Sequence, residues 1–507
     1  MNRSSVSPLP TGQTGIHAVL RTAELRALIF EELPRKSLAA LARSCKELSL
    51  SALAVLWYEL RNLQPVYRLL PESKRVIEGE LEYITPRDVG RIRYYRDFVR
   101  RLTFPLLPAV GRLSPSSLRQ IIVALDEEFL FPHLRYLDYT GPSEYFSTFP
   151  ALIPHSLTSL HLNIEDEWYL DDAGLSTATA MEVVTLMMAK VRRRNISALS
   201  LRLPPEMPIW PVAEILTGWN GLRTLTVMGQ IDEKTLAAIH ALPLLHSLTL
   251  LCHPREFLPF CRTERKASSL RTAKIHVPTM TDAAAALALN SPPDIDPPLR
   301  LHELTVWPEN PENMEYLGKQ LRNHCSVDEL ENFIVQWNEL SSVPYAVVVT
   351  MQDLRPLLDF VNLRHVRVDL NCRLDLSNGD LQAMAHAWPQ INSLHLEGTR
   401  LSTSSCTLDG LLPFAHHCKH LEQLAVKLQS GTVALPTKKP DIVHLGLRDI
   451  DFLDSPIKPE ERAKAAAFLA MHFPSNMLIR SSYGERGWDD VMYIYPTFIE
   501  FARAYSA

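Results

Sequence analysis

Along most of the chain one short phrase recurs, apolar-x-x-apolar-x-apolar. It stands as VRRLTF at Val99, LRYLDY at Leu134, LTSLHL at Leu157, ISALSL at Ile196, LRTLTV at Leu222 and LHSLTL at Leu245. It continues as LRTAKI at Leu270, LHELTV at Leu301, LENFIV at Leu330, LRHVRV at Leu363, INSLHL at Ile391, LEQLAV at Leu421 and IVHLGL at Ile442. Within each phrase, strict alternation predicts a strand whose second and third apolar residues turn into a core while the residues between them face outward. Intervening segments such as EKTLAAIHAL and NGDLQAMAHAW carry apolar residues near a 3.6 period and predict helices. A single strand–helix unit cannot bury its apolar side alone, so the units must stack.

The 11 intervals between Leu134 and Ile442 average 28 residues and range from 21 to 39. This period and the L-x-x-L-x-L core resemble those of leucine-rich repeats, which run at about 20–29 residues. The uneven spacing and the scarcity of Asn after the strand place the resemblance with irregular arrays. The expected fold is α/β, a leucine-rich-repeat solenoid over residues 99–455 with parallel strands on its concave face and helices on its convex face. The interval from 157 to 196 holds an acidic, aromatic insertion, EDEWYLDD, and NSPPDIDPP before Leu299 reads as a loop.

Ahead of the array the apolar spacing changes to that of short helices. In TAELRALIFEELP, Leu25, Leu28, Ile29 and Leu33 fall on one helical face, with Thr22 placed to cap it and Pro34 to end it. Ser37 is a candidate cap for a second helix carrying Leu38, Leu41, Ala42, Cys45 and Leu48. A third follows Ser51 with Leu53, Leu56, Trp57, Leu60 and Leu63. Three such helices bury little surface by themselves. Leftover apolar groups, Ile29, Phe30 and Trp57 among them, need covering by the rest of the chain or by another protein. Periodicity alone leaves open a helical cap on the following domain.

The wording of the segment is more specific. Glu24-Leu25, Ile29-Phe30, Leu33, Leu38, Leu41-Ala42, Cys45-Lys46, Ala52-Leu53 and Leu56-Trp57 resemble an F-box, and the continuation LRNLQPVYRLLPE is similar to F-box proteins of mushroom-forming fungi. Thr22-Ala23 stands where many F-boxes have Leu-Pro. The resemblance implies residues 16–63 as the F-box and 456–507 as a C-terminal cap; the residues themselves read as a disordered N-terminus over 1–15 and a helical connector over 64–98. It implies docking on a Skp-type adaptor, and through it a cullin, by Leu25, Ile29, Phe30, Leu33, Pro34, Leu38, Leu41, Leu53, Leu56 and Trp57. The function it implies is target recognition in an SCF-type ubiquitin ligase. The alternative is a repeat scaffold or inhibitor with no ligase role.

In the connector, RIRYYRDFVRRL is read with Ile92, Tyr95, Val99 and Leu102 as its buried face and its arginines solvated. In the tail, ERAKAAAFLAMHFP predicts a helix, MLIRSS a strand, and GWDDVMYIYPTFIEFARAY a capping segment with a buried Trp488. A cap is also what an array needs to cover its last repeat.

Composition narrows the function classes. With 507 residues and 46% apolar content the chain is long enough for two or three domains or one elongated array. A net charge of −5 gives no basic footprint, so no nucleic-acid partner is expected. No apolar run reaches membrane-spanning length, so no membrane partner is expected. Seven scattered cysteines suit reduced thiols in the cytoplasm or nucleus.

Candidate chemistry is thin. His416, His417, Cys418 and His420 invite a metal reading, but neighbouring His416 and His417 diverge on a helix, and Cys418 sits where a convex helix ends, as Cys325 does. Cys252 and Cys261 lack a second pair. The run Glu165 to Asp172 lacks the spaced pattern of a Ca²⁺ loop. There is no phosphate-loop, nucleophile-elbow or zinc-protease motif. The expectation is therefore no enzyme, no cofactor and no metal. The remaining candidate site is the outward strand face, where Lys274, His276, Glu303, Trp307, Gln336, His365, Arg367 and His395 are the expected contacts for a target protein. Tyr136, Asp138, His161, Arg202, Glu397, Lys427 and Arg448 are read on the same face.

Overall fold

A computed structural model of the chain describes residues 22–44, 46–76, 81–104, 113–141, 145, 148–164, 195–202, 212–229, 231–251, 269–287, 298–337, 347–370, 372–399, 404–429, 444, 446–473, 477–482 and 487–504. Residues 1–15, Cys45, the EDEWYLDD insertion, nearly all of NSPPDIDPP, Cys252, Cys261 and Ile442 lie outside them. The chain divides into two compact units, residues 1–204 and 205–507.

Among the described residues the first unit begins with three helices: α1 Ala23–Glu31, α2 Arg35–Ser44 and α3 Lys46–Tyr58. Thr22 holds the N-cap position of α1 in extended backbone, but its side chain makes no cap hydrogen bond. The second helix begins two residues before Ser37, whose N–H donates to the Pro34 carbonyl at 2.8 Å, so Ser37 lies inside the helix and does not cap it. Leu48 belongs to α3. Leu60 is not helical either: α3 runs straight into strand β1 (Glu59–Leu60).

From there the unit alternates between strand and helix. Strands β2 Arg101–Phe104, β3 Tyr136–Gly141, β4 Ser159–Ile164 and β5 Ala198–Arg202 follow β1, and each pairs in parallel with the one before it. Helices α4 Gly90–Tyr95 and α5 Pro115–Leu125 lie between strands. In the connector Ile92, Val99 and Leu102 are buried as expected. Arg96 departs from the solvated reading: it is 8% exposed, donates to the Phe129 carbonyl at 3.2 Å and pairs with Glu127.

In the second unit ten strands form one parallel ladder among the described residues. They are β6 Thr224–Met228, β7 Ser247–Leu251, β8 Thr272–Thr279, β9 Glu303–Asn310, β10 Asn332–Gln336, β12 His365–Asp369, β14 Ser393–Glu397, β15 Gln423–Val426, β16 Asp449–Asp451 and β17 Leu478–Arg480. Strands β11 Val348–Thr350 and β13 Arg373–Asp375 pair separately. Helices α6 Glu233–His240, α7 Met280–Ala286, α8 Met314–His324, α9 Asn378–Ala387 and α10 Leu412–His417 fall between strands. Helices α11 Arg462–His472 and α12 Gly487–Ala504 flank β17. The α/β class with parallel strands and intervening helices thus holds in each unit, an arrangement compatible with a solenoid.

The strand phrase explains this regularity. Its first apolar residue is buried in every rung: Leu222, Leu270, Leu301, Leu330, Leu363, Ile391 and Leu421 are at most 8% exposed. The second and third, such as Leu225 and Val227, Val366 and Val368, or Leu394 and Leu396, are at most 2% exposed. Each such side chain contributes about 1.5–3 kcal/mol on burial. One backbone carbonyl per rung then accepts two N–H groups from the next: Glu331 from Arg364 and His365, Arg364 from Asn392 and Ser393, Asn392 from Glu422 and Gln423, Glu422 from Arg448 and Asp449.

That pattern corrects the last copy of the phrase. The strand after β15 is not IVHLGL at Ile442 but LRDIDF at Leu447, with Leu447, Ile450 and Phe452 fully buried. One more rung, β17, follows in the segment read as the cap, and β1 adds one before Val99. The tail is then closed by α12, whose Trp488 is 2% exposed and stacked on Phe452 at 3.8 Å.

Candidate functional site

Two surfaces stand out, one on each unit. On the first, the helical module has a small core of Phe30, Leu38 and Ala52, with Leu33, Leu41, Ala42, Leu48, Val55 and Leu56 packed partly against it. Of the ten residues expected to dock, Phe30, Leu38 and Leu53 are therefore core positions, at 2%, 2% and 8% exposure. Pro34 is exposed and immediately precedes α2, while Leu33, Leu41 and Leu56 are half-buried. Trp57 is also half-buried, stacked on Tyr95 at 4.6 Å. The open apolar groups include a stripe on α1, Leu25 at 44%, Leu28 at 60% and Ile29 at 40% exposure, and Leu50 on α3 at 59%. A helix packed by its own unit would turn such a stripe inward.

On the second unit the outward strand face forms a shallow cleft of about 660 Å³. Parallel register aligns its rows. Glu303, Asn332, His365, Ser393, Gln423 and Asp449 make one, and Ile334, Arg367, His395, Ala425, Asp451 and Arg480 the next. Asp369 stands directly opposite Glu397. The cleft therefore gathers Glu303, His365, Arg367 and His395 of the expected target contacts. Lys274 reaches its rim through an ion pair with Glu303 at 3.0 Å. His276, Trp307 and Gln336 do not line it.

Asp449, Asp451, Arg480 and Ser482 line the cleft and were missed by the sequence reading, which placed Arg448 on this face instead. Arg448 precedes the strand, points to solvent and pairs with Glu422 at 3.4 Å. The signal was LRDIDF at Leu447, whose two aspartates alternate with buried Ile450. Arg480 binds Asp449 at 2.9 Å and Asp451 at 3.4 Å. Burial pushes the Asp449 carboxyl above the ordinary carboxylate value, Arg480 opposes this, and neighbouring Asp451 adds to it. Lys427, beyond β15, pairs with Asp454 at 2.7 Å.

On the same strand face, Arg367 donates to Asp369 at 2.8 Å and His395 Nε2 donates to Glu397 at 2.6 Å. The outward positions of the first unit carry a smaller polar group. Arg101 stacks over Tyr136 at 4.3 Å, and His161 lies 5.0 Å from the same ring. Burial lowers the His161 pKa while Asp138 raises it. Arg202 is exposed at the end of β5.

The His416, His417, Cys418, His420 group does not converge. The Cys418 thiol is buried and donates to the carbonyls of Ala385 and Trp388 at 3.4 and 3.5 Å. His416, His417 and His420 are exposed. No helix among the described residues is long and apolar enough to cross a membrane. No protein-family model matches the chain, and no curated protein matches it.

Proposed function

We propose that the chain is the target-recognition subunit of an SCF-type cullin–RING ubiquitin ligase. Its F-box, residues 16–63, docks on a Skp-type adaptor, and its irregular leucine-rich repeats hold a target protein on the outward strand face. The chemistry belongs to partners, and this chain contributes proximity. The single observation that carries the reading is the stripe of Leu25, Leu28 and Ile29, apolar and exposed on a module whose core is already filled by Phe30 and Leu38. Exposed apolar patches of this kind mark protein contacts. The polar cleft, with two arginines and two histidines among its lining groups, supports the second half.

A co-purification of the full chain with a Skp-type adaptor tests it. The wild type is expected to bind, and Leu25→Asp with Ile29→Asp to abolish binding while keeping the fold, because both side chains lie outside the core. No binding by the intact chain would sink the proposal.

One observation favours the alternative scaffold reading. Helix α3 continues into β1, which pairs with β2, and the Arg100 N–H donates to the Tyr58 carbonyl at 2.9 Å. On that reading the helices serve only to close the first rung. A chain that is monomeric and stable without the adaptor, and unaffected by aspartates at 25 and 29, decides for it.

A further inference from the structure

We infer that the outward strand face of the second unit holds a divalent transition-metal ion of the zinc type between Asp369, His395 and Glu397, of which the last two line the cleft. The three residues come from two adjacent parallel strands, Asp369 from β12 and the other two from β14. One ligand atom from each lies within 4.8 Å of the others. Ligands around a tetrahedral zinc ion at about 2.0–2.2 Å stand about 3.4 Å apart, so side-chain rotation alone closes the set.

The register supplies the reason. Asp369 and Glu397 are direct cross-strand neighbours, and like charges in that position repel. Arg367 offsets the charge of Asp369, and His395 bonds Glu397. A dication between the two carboxylates relieves that repulsion and uses the imidazole as third ligand. His395 shifts from its Nε2–H to its Nδ1–H tautomer, exchanging the proton through solvent, and the freed Nε2 lone pair takes its place on the metal. Arg367 remains on Asp369 as a second contact that orients the carboxylate.

The three side chains are partly enclosed, with 23%, 23% and 12% of their surface exposed for Asp369, His395 and Glu397. This is open enough for an ion to enter and closed enough to raise its affinity above that of a solvated patch. One nitrogen and two oxygens suit zinc, cobalt or manganese better than calcium or magnesium, which take oxygen shells. Water completes the coordination.

Calorimetric titration of the chelator-treated full chain with zinc chloride, and with cobalt chloride followed by visible absorption, tests this. The wild type is expected to bind one equivalent. His395→Ala and the isosteric Glu397→Gln should each weaken binding at least tenfold, while His417→Ala, in the exposed histidine group, leaves it unchanged. Absence of saturable binding overturns the inference. So does wild-type affinity in either cleft variant, or loss of binding in His417→Ala.

Discussion

The indole N–H of Trp488 donates to the backbone carbonyl of Ser455 at 2.8 Å. This bond ties the last helix to the turn that leaves the strand at Leu447, and the same ring stacks on Phe452. Trp488 thereby helps to close the final rungs, together with the Tyr495 hydroxyl, which donates to the Phe473 carbonyl. Trp488→Phe keeps most of the stacking and loses the bond, an expected cost of about 1–2 kcal/mol. Trp488→Ala also opens a cavity, and about 3–5 kcal/mol is expected. Hydrogen exchange across residues 487–504 reads the effect. Unchanged protection in the alanine variant would show that the helix is held elsewhere.

Burial sets the reactivity of the thiols. It pushes Cys372 and Cys418 up to about 12 and Cys406 to about 11. The nearby Asp353 carboxylate adds to the rise at Cys372, and Ser404 opposes it at Cys406. At pH 8 the thiolate fraction is then about one part in a thousand or less, and thiolate is the reacting form. Native chain treated with iodoacetamide should yield unlabelled peptides for all three residues, with full labelling after guanidinium. Rapid native labelling of Cys418 would contradict its two carbonyl contacts.

Arg96 and Glu127 form an asymmetric pair. The arginine side chain is 9% exposed and the glutamate side chain 43%. Arg96→Ala removes the donor to Phe129 and a buried stem, with about 2–3 kcal/mol expected. Glu127→Ala removes a solvent-screened charge while the Phe129 bond remains, with at most about 1 kcal/mol expected. Urea unfolding of both variants gives the comparison, and equal costs would refute this division.

The rungs were legible because one six-residue phrase marks each of them, and its three apolar residues are the ones buried in the ladder. The last copy was misplaced because IVHLGL and LRDIDF satisfy the same pattern within five residues of each other. Only the carbonyl of Glu422, which accepts from Arg448 and Asp449, selects between them. That choice carried Asp449 and Asp451 onto the face and removed Arg448 from it. Asp369 and Glu397 lie 28 residues apart, and no local pattern announces that register sets them opposite each other. In the helical module the period could not rank neighbours. Phe30 entered the core while Leu25, Leu28 and Ile29 stayed outside, because three short helices have room for few large groups and an aromatic ring buries more area than an aliphatic side chain.

His444 makes stability depend on pH. Its Nε2–H donates to the Cys418 carbonyl at 2.7 Å, and its Nδ1 accepts from the N–H groups of Gly446 and Leu447 at 3.2 and 3.1 Å. Both nitrogens are thus used by the neutral ring, which is 3% exposed. Burial lowers its pKa below the ordinary 6.5, and the bond to Cys418 only partly opposes this. The unfolded chain keeps the ordinary value, so below it the unfolded state takes up the proton first. The contribution of the neutral ring is complete above pH 6.5 and drains away as pH falls from there through the lowered folded value. Burial lowers His161 and His472 in the same direction, so the acid limb of the wild type is shared. His444→Gln isolates one part of it. At pH 7.5 the variant should be less stable by about 2–3 kcal/mol, because the backbone donors and the Cys418 carbonyl lose their partner. The gap should shrink toward pH 5, where the wild type carries the cost of a ring that must be kept neutral or break its bonds. Urea midpoints for both chains at the two pH values measure it. A gap that stays constant would mean that His444 does not titrate with unfolding.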